Sequence, residues 1–354
     1  MKRLFFPSLF IFLIIQPALA TRPKEDSLYV KAFGKLTAML KGDITPSFKE
    51  AVFITENAYL GDSLAYSEYN ENIRYLAAFA DKWVRSNNLS QYRFPDSPDV
   101  SKNIAIFKII KDVIKIRLAD DLEATTTPFL YNFEDFLGQK KWSNIFVTTL
   151  LRTHKGNCHS LPYLYKILAD ELHTICWLSF APNHIYIKNW SQQVGWYNTE
   201  LTSKQFPVDA WIMASGYISA DAIRSGIYMD TLSNQQAIAN CVLDLAKGYE
   251  KKYHIYTDSF IIKCCDLTLK YHSNNINAII YKAETLRKIY LINKSENPIL
   301  ASAIYPNMEK LYIQALDLGY KEMPYKMYAQ WLQGIFKEKD KYSNKKLTGT
   351  IHGK

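Results

Sequence analysis

The sequence predicts an α+β protein in which a small antiparallel sheet lies between two helical regions. Apolar residues recur at three- and four-residue spacing over 28–140, and again from residue 209 onward. Between these regions, three short segments alternate with period two and predict strands: 175–180, 184–188 and 195–200. A chain of 354 residues, 48% hydrophobic and 22% charged, is long and apolar enough for two or three packed domains.

The first 20 residues have the form of an export signal. Two basic residues and the apolar run 4–15 are followed by Ala18-Leu19-Ala20, which favours cleavage before Thr21. No later stretch reaches the roughly 18 apolar residues that span a bilayer. We expect an exported, periplasmic or secreted chain with no transmembrane segment after cleavage. A retained signal anchor is the alternative.

The region after the signal is expected to be helical and to cover a later core. Breaks fall at Thr45-Pro46, at 87–98 and at 125–128. The predicted helices span 47–60, 64–85, 100–121 and 132–137.

Charge and cysteine usage exclude several classes of function. The net charge of +9 is scattered and forms no basic stripe interleaved with aromatics, so we expect no nucleic-acid partner. The five cysteines include no CxxC pair and no zinc-ligand spacing with histidine. The thiol chemistry predicted below requires no metal or organic cofactor. An odd number leaves at least one cysteine unpaired in an oxidising compartment. The sequence leaves open any pairing among four of them: Cys176, Cys241, Cys264 and Cys265.

Cys158 is the residue on which the candidate chemistry depends. It follows Gly156-Asn157 and precedes an amphipathic run over 161–172. Pro162 has no N–H to give to the carbonyl of residue 158, so Cys158 is expected at or just before the first helical turn. Unpaired backbone N–H groups and the positive end of the helix dipole favour a thiolate there.

The two strands that follow predict a base for this thiol. With a loop centred near Ser191, antiparallel pairing places His184 opposite Asn198, with their Cβ atoms about 5 Å apart. The amide of Asn198 can then hold the imidazole, although a slip of register would separate them. Glu200 lies on the same face of its strand and could substitute for Asn198. His159 is a rival base, but its place at the helix start favours a packing role.

A thiol, an imidazole and an amide in this order predict nucleophilic acyl transfer. The Cys158 thiolate attacks a carbonyl, His184 protonates the leaving group, Asn198 fixes the ring, and the Cys158 N–H contributes to an oxyanion hole. Considered one at a time, these residues are better explained by structural roles, because an isolated buried cysteine is usually an inert small hydrophobic residue.

The order of these residues resembles the transglutaminase-like cysteine peptidase superfamily. The resemblance is carried by Gly156-Asn157-Cys158, Pro182-Asn183-His184 and Trp196-Tyr197-Asn198-Thr199. It implies a papain-like core, in which the cysteine-bearing helix packs on a small antiparallel sheet, and catalytic roles for Cys158, His184 and Asn198. The pattern is similar to a bacterial branch with N-terminal helices and repeat-like C-terminal helices. Asn198 stands where aspartate is the commoner residue.

The C-terminal region predicts further helices over 234–249, 258–272, 276–292, 300–318 and 325–337. Parts of them resemble degenerate tetratricopeptide repeats, and a plain helical cap is the alternative. The predicted divisions are the signal peptide (1–20), a helical N-terminal region (21–140), the transglutaminase-like core (141–225), a tetratricopeptide-like helical region (226–340) and a disordered tail (341–354).

Together these features predict an exported thiol enzyme that cleaves or transfers an amide of a peptide, an isopeptide or a cell-envelope component. Hydrolysis is favoured over crosslinking because nothing indicates an amine-acceptor site. The alternative is an inactive scaffold whose C-terminal helices bind a partner protein or peptide in a groove.

Overall fold

The computed structural model describes residues 28–87, 89, 92–119, 122–214, 217–337 and 342–344. The predicted export signal lies outside these residues, as does most of the predicted tail. Within the described ranges the chain combines α-helices with three small sheets, which confirms the α+β class. No described helix is long and apolar enough to cross a bilayer.

The elements occur in three groups along the chain. The first is α1 (Leu28–Lys41), α2 (Phe48–Tyr59), α3 (Tyr66–Ser86), α4 (Ser97–Lys111), β1 (Lys115–Ala119), β2 (Leu122–Thr125) and β3 (Leu130–Tyr131). The second is a 3-10 helix (Trp142–Ile145), α5 (Val147–Thr153), β4 (Lys155–Gly156), α6 (Ser160–Glu171), β5 (Trp177–Ala181), β6 (His184–Ser191) and β7 (Gly195–Thr199). The third is α7 (Asp209–Met213), α8 (Ala220–Arg224), α9 (Asn234–Tyr253), α10 (Phe260–Tyr271), α11 (Ile276–Glu296), α12 (Pro298–Asp317) and α13 (Tyr325–Lys337).

The predicted cysteine-bearing helix is α6, and it lies at the centre of the fold. It packs against β5 and β6 of the antiparallel sheet β5-β6-β7, and also against α3 and α4. Leu161, Leu164 and Leu168 are fully buried in this contact region. The N-terminal helices therefore cover the core, as predicted.

The predicted helix over 100–121 was wrong in its second half. α4 ends at Lys111, and β1 and β2 form an antiparallel hairpin after it. Ile116 is buried while Lys115 and Arg117 are exposed, so the side chains alternate with the period of a strand.

The short helix predicted over 132–137 was also wrong. This segment forms turns that are closed by the Asp135 carboxylate. Its two oxygens accept from the backbone N–H groups of Lys140 (3.0 Å) and Lys141 (2.9 Å). Side-chain bonding of this kind offers the backbone an alternative to a helix.

The β6–β7 hairpin has a different register from the predicted one. Lys188, and not His184, lies opposite Asn198. β6 continues to Ser191, whereas the polar sequence after residue 188 predicted a loop. Asn189 stays in the strand because its amide is fully buried and donates to Thr199 Oγ1 (2.9 Å).

The C-terminal helices α10 to α13 agree closely with the predicted ranges. α11 and α12 are joined at Asn297 and pack against each other, while α9 packs against α1, α2 and α10. The similarity to tetratricopeptide repeats stays a prediction.

The predicted disordered tail needs a correction in residues 342–344. The Val208 N–H donates to the Tyr342 carbonyl (3.0 Å), and the Asn344 N–H donates to the Phe206 carbonyl (2.9 Å). The chain after α13 is therefore attached to the segment that follows β7.

Candidate active site

Cys158 lies two residues before α6, where Pro162 predicts it. Asn157 stabilises the turn that leads into the helix: its side-chain oxygen accepts from the backbone N–H groups of His159 and Ser160, both at 3.0 Å. The Asn157 side-chain N–H also donates to the carbonyl of Phe136 (2.7 Å). The thiol is thus fixed near the N-terminal end of the helix, where the dipole is positive.

Gly156 is required by close packing. A Cβ atom at this position would lie 2.6 Å from Ser160 Oγ and 2.7 Å from a methyl carbon of Leu150. Ser160 Oγ also accepts from the Asn157 N–H (3.1 Å), so a side chain at position 156 would disturb the turn that positions Cys158. Close packing around position 156 therefore explains why the Gly-Asn-Cys motif begins with a glycine.

The two-residue turn Pro182-Asn183 brings His184 to the thiol. Asn183 has a φ of 56°, a left-handed conformation that asparagine tolerates well. Its carbonyl oxygen lies 3.9 Å from Cys158 Sγ. β6 begins with His184 directly after this turn, and Cys158 Sγ and His184 Nδ1 each lie 3.4 Å from the same Tyr328 hydroxyl oxygen, which places the thiol and the ring in one site.

Glu200 holds the imidazole. His184 Nε2 and Glu200 Oε2 are 2.6 Å apart, and the other carboxylate oxygen accepts from the Thr202 N–H (2.7 Å). Both side chains are buried: His184 is 4% exposed and Glu200 is 3% exposed. A charge-assisted hydrogen bond in such a place is strong and fixes the ring orientation.

Asn198 has a different role from the predicted one. Its side-chain N–H groups donate to the Pro207 carbonyl (3.0 Å) and to Asp209 Oδ1 (2.7 Å). The prediction that Asn198 orients His184 was wrong because the strand register differs by four positions. Asn198 instead ties the segment after β7 to the sheet.

The three groups Cys158, His184 and Glu200 favour charged forms. Burial raises the pKa of the Cys158 thiol, but hydrogen bonding to His184 and the charge of its imidazole outweigh burial and lower the pKa overall. Burial opposes protonation of His184, yet the Glu200 charge leads the effects that raise its pKa to about 10. Burial raises the pKa of Glu200, and the imidazolium charge lowers it below its ordinary value. Both directions, a lowered thiol pKa and a raised imidazole pKa, favour a thiolate beside an imidazolium.

The other four cysteines contrast with Cys158. All five are free and buried. Burial raises the pKa of Cys176 and of Cys265 to about 12, and it also raises the pKa values of Cys241 and Cys264. The position next to His184 therefore distinguishes Cys158 from the others.

His159 points away from the thiol. Its Nε2 lies 2.9 Å from Asp244 Oδ2, and its Nδ1 lies 3.1 Å from the Ile145 carbonyl oxygen. The Tyr163 hydroxyl donates to the same carboxylate oxygen of Asp244 (2.8 Å). This arrangement agrees with the predicted packing role of His159.

Two aromatic residues of α13 complete the site, and the sequence did not place them there. The Tyr328 hydroxyl lies 3.4 Å from Cys158 Sγ and 3.4 Å from His184 Nδ1. The Trp331 ring lies edge-on to the His184 ring at 5.2 Å between centroids. The three-residue spacing of Tyr325, Tyr328 and Trp331 indicates one helix face, but it does not indicate what that face contacts.

No cluster of three or more histidine, cysteine or acidic side chains suited to a metal ion occurs in the described part of the chain. Comparison with protein-family models, curated proteins and solved structures finds no match. The chemistry of the site therefore has to be inferred from its geometry.

Proposed function

We propose that this chain is an exported thiol hydrolase of the transglutaminase-like cysteine peptidase type, which cleaves amide bonds in peptides, isopeptides or cell-envelope components. Its catalytic residues are Cys158, His184 and Glu200. The observation that carries the proposal is the series thiol, imidazole, carboxylate, in which a 2.6 Å bond joins His184 to Glu200 and the Cys158 pKa is lowered.

The first half of the reaction forms an acyl-enzyme. The Cys158 thiolate attacks the substrate carbonyl carbon, and the Cys158 N–H stabilises the oxyanion that forms. The carbon–nitrogen bond breaks as His184 Nδ1 gives its proton to the leaving amine. The products of this half are a free amine, a thioester on Cys158 and a neutral imidazole.

The second half returns the enzyme to its starting state. Neutral His184 takes a proton from water, and the resulting hydroxide attacks the thioester carbonyl. The carbon–sulfur bond breaks, which releases a carboxylic acid and restores the thiolate–imidazolium pair. Glu200 keeps the ring in place throughout and stabilises its charged form, as an orienting acid does in other triads.

One observation favours the second candidate, an inactive scaffold that binds a partner through its C-terminal helices. Cys158 is only 7% exposed, and Tyr328 lies against both the thiol and the imidazole. An enzyme has to expose this thiol to its substrate, whereas a scaffold does not.

Acylation of Cys158 tests the proposal. The full chain and a Tyr328→Ala variant are incubated with p-nitrophenyl acetate, and intact-mass and peptide-mass spectra locate the acetyl group. We expect acetyl-Cys158 to form and then hydrolyse. Because His184 stabilises the thiolate, His184→Ala should slow acylation by about 10²-fold or more.

The matched control is Cys176→Ala, which removes a buried cysteine whose pKa is raised. It should leave acylation unchanged. An acetyl group on another residue, or the same rate with and without His184, would leave the scaffold as the better account.

A further inference from the structure

Helix α13 occupies the space that a substrate needs. A carbonyl carbon approaches its nucleophile to roughly 3–3.5 Å before reaction. The Tyr328 hydroxyl oxygen already lies 3.4 Å from Cys158 Sγ, and it is also 3.4 Å from His184 Nδ1. A substrate carbonyl and the Tyr328 hydroxyl therefore cannot occupy this position together.

The cover extends beyond this one hydroxyl. Tyr328 is 1% exposed, and the Trp331 ring contacts the rings of His184 (5.2 Å) and Trp211 (5.1 Å between centroids). In this position, α13 covers the face of the thiol and the imidazole that it contacts, so a substrate cannot reach them from that face.

The contacts that hold α13 over the site include several between aromatic rings. Tyr325 stacks on Phe136 with the ring planes 7° apart, and Tyr328 lies against the same ring at 5.9 Å. The Trp331 indole N–H is buried and has no hydrogen-bond partner within the described chain. An unpaired buried donor adds a free-energy cost to the observed position of α13, and this cost disappears when the indole N–H is exposed to water.

The chain is attached on both sides of this helix. Before α13, Ser219 Oγ donates to the Gly319 carbonyl (3.0 Å). After it, the Val208 N–H donates to the Tyr342 carbonyl (3.0 Å). The chain is therefore tethered to the rest of the fold on both sides of α13.

We propose that residues 320–337, called the strap below, are an autoinhibitory element of this protein. The folded chain is latent, and displacement of Tyr328 from its position against Cys158 and His184 releases the thiol for catalysis. The inference rests on the proposed function, because a latent state has meaning only if Cys158 is the nucleophile.

Alkylation of Cys158 by iodoacetamide in the full chain tests the strap. The rate at neutral pH is followed by peptide mass spectrometry in the wild type, in Tyr328→Ala and in Gln330→Ala, each with and without His184→Ala. Tyr328→Ala should raise the rate about tenfold or more, because the open fraction limits labelling of the wild type. Gln330 is exposed on the same helix, so its substitution should change nothing.

The outcomes separate the strap from the proposed function. If the wild type labels as fast as Tyr328→Ala, and His184→Ala slows both, the thiol is activated but the strap does not restrain it. If Tyr328→Ala speeds labelling but His184→Ala has no effect, the strap covers an ordinary thiol and the proposed function fails.

A second measurement needs no substitution. Carbamidomethylated Cys158 and Tyr328 compete for one space, so labelling the wild type should displace the strap. We expect backbone amides of α13 to lose hydrogen-exchange protection after labelling, while those of α6 keep it. Unchanged protection of α13 in the labelled protein would overturn the proposal, even if Tyr328→Ala did not fold.

Discussion

Replacement of Glu200 by Gln is expected to slow acylation of Cys158 by about 10²- to 10⁴-fold, because the orienting carboxylate of a triad contributes on this scale. Gln keeps the size of the side chain and its bond to the Thr202 N–H, but it removes the charge that leads the effects raising the His184 pKa. Less imidazolium then forms, and the thiolate loses its partner. The measurement is the rate of acylation by p-nitrophenyl acetate in the Tyr328→Ala background.

Asn198→Ala is the matched control, since it tests the residue that the sequence first favoured. The side-chain N–H groups of Asn198 donate to Pro207 and Asp209, so the variant should lower the free energy of unfolding by about 1–3 kcal/mol. The rate of acylation should change little. If Asn198→Ala slowed acylation by 10²-fold or more while Glu200→Gln did not, the assignment of the orienting residue would be reversed.

Asp244→Ala is expected to lower the free energy of unfolding by about 3–5 kcal/mol, the cost of breaking a buried ion pair from one side. The His159 and Asp244 side chains are 17% and 9% exposed, and their bond is 2.9 Å. The substitution also removes the acceptor of the Tyr163 hydroxyl. Urea unfolding of the wild type and the variant measures the difference.

The matched control is Asp221→Ala, which breaks an exposed pair with Arg224 and should cost no more than about 1 kcal/mol. An equal loss in both variants would show that burial of the His159–Asp244 pair adds nothing.

The loss caused by Asp244→Ala should also depend on pH. Asp244 has a lowered pKa, so its stabilisation is present above its ordinary 3.8 and is lost as pH falls through the lowered value. His159 has a raised pKa, so its stabilisation is full below 6.5 and is lost as pH rises through the raised value. The difference between wild type and variant should therefore be largest between 3.8 and 6.5. A difference that does not change with pH would contradict the ionised pair.

Local chemistry allowed the position of Cys158 to be predicted. The missing N–H of Pro162 acts within one helical turn, so its effect on where the helix begins can be inferred from sequence alone. The structure agrees: α6 begins at Ser160, two residues after the thiol.

The orienting residue could not be predicted with the same certainty, because it depends on the hairpin register. Asn189 and Ser191 are polar and predicted a loop, yet both are fully buried in β6. The prediction assumed a loop centred near Ser191, but Ser191 is still paired, with Gly195, so the chain turns later and the register shifts. Asn198 pairs with Lys188, which is four residues after His184 on β6.

The cover over the thiol was beyond the reach of sequence reasoning for a different reason. The range of α13 was predicted, but Tyr328 and Cys158 are 170 residues apart in the chain. Which face of α13 meets the site depends on contacts with distant segments, such as Phe136 and Trp211 of α7, and no local pattern encodes these contacts.

The protonation state of His184 tests the central claim most directly. Nitrogen chemical shifts of the ring, measured in the full chain as pH is raised, report when the imidazolium loses its proton. The account predicts that His184 is charged at neutral pH and titrates near 10, and that Glu200→Gln lowers this pKa. A ring that titrates near the ordinary 6.5, with no change in Glu200→Gln, would contradict the thiolate–imidazolium pair on which the proposed function depends.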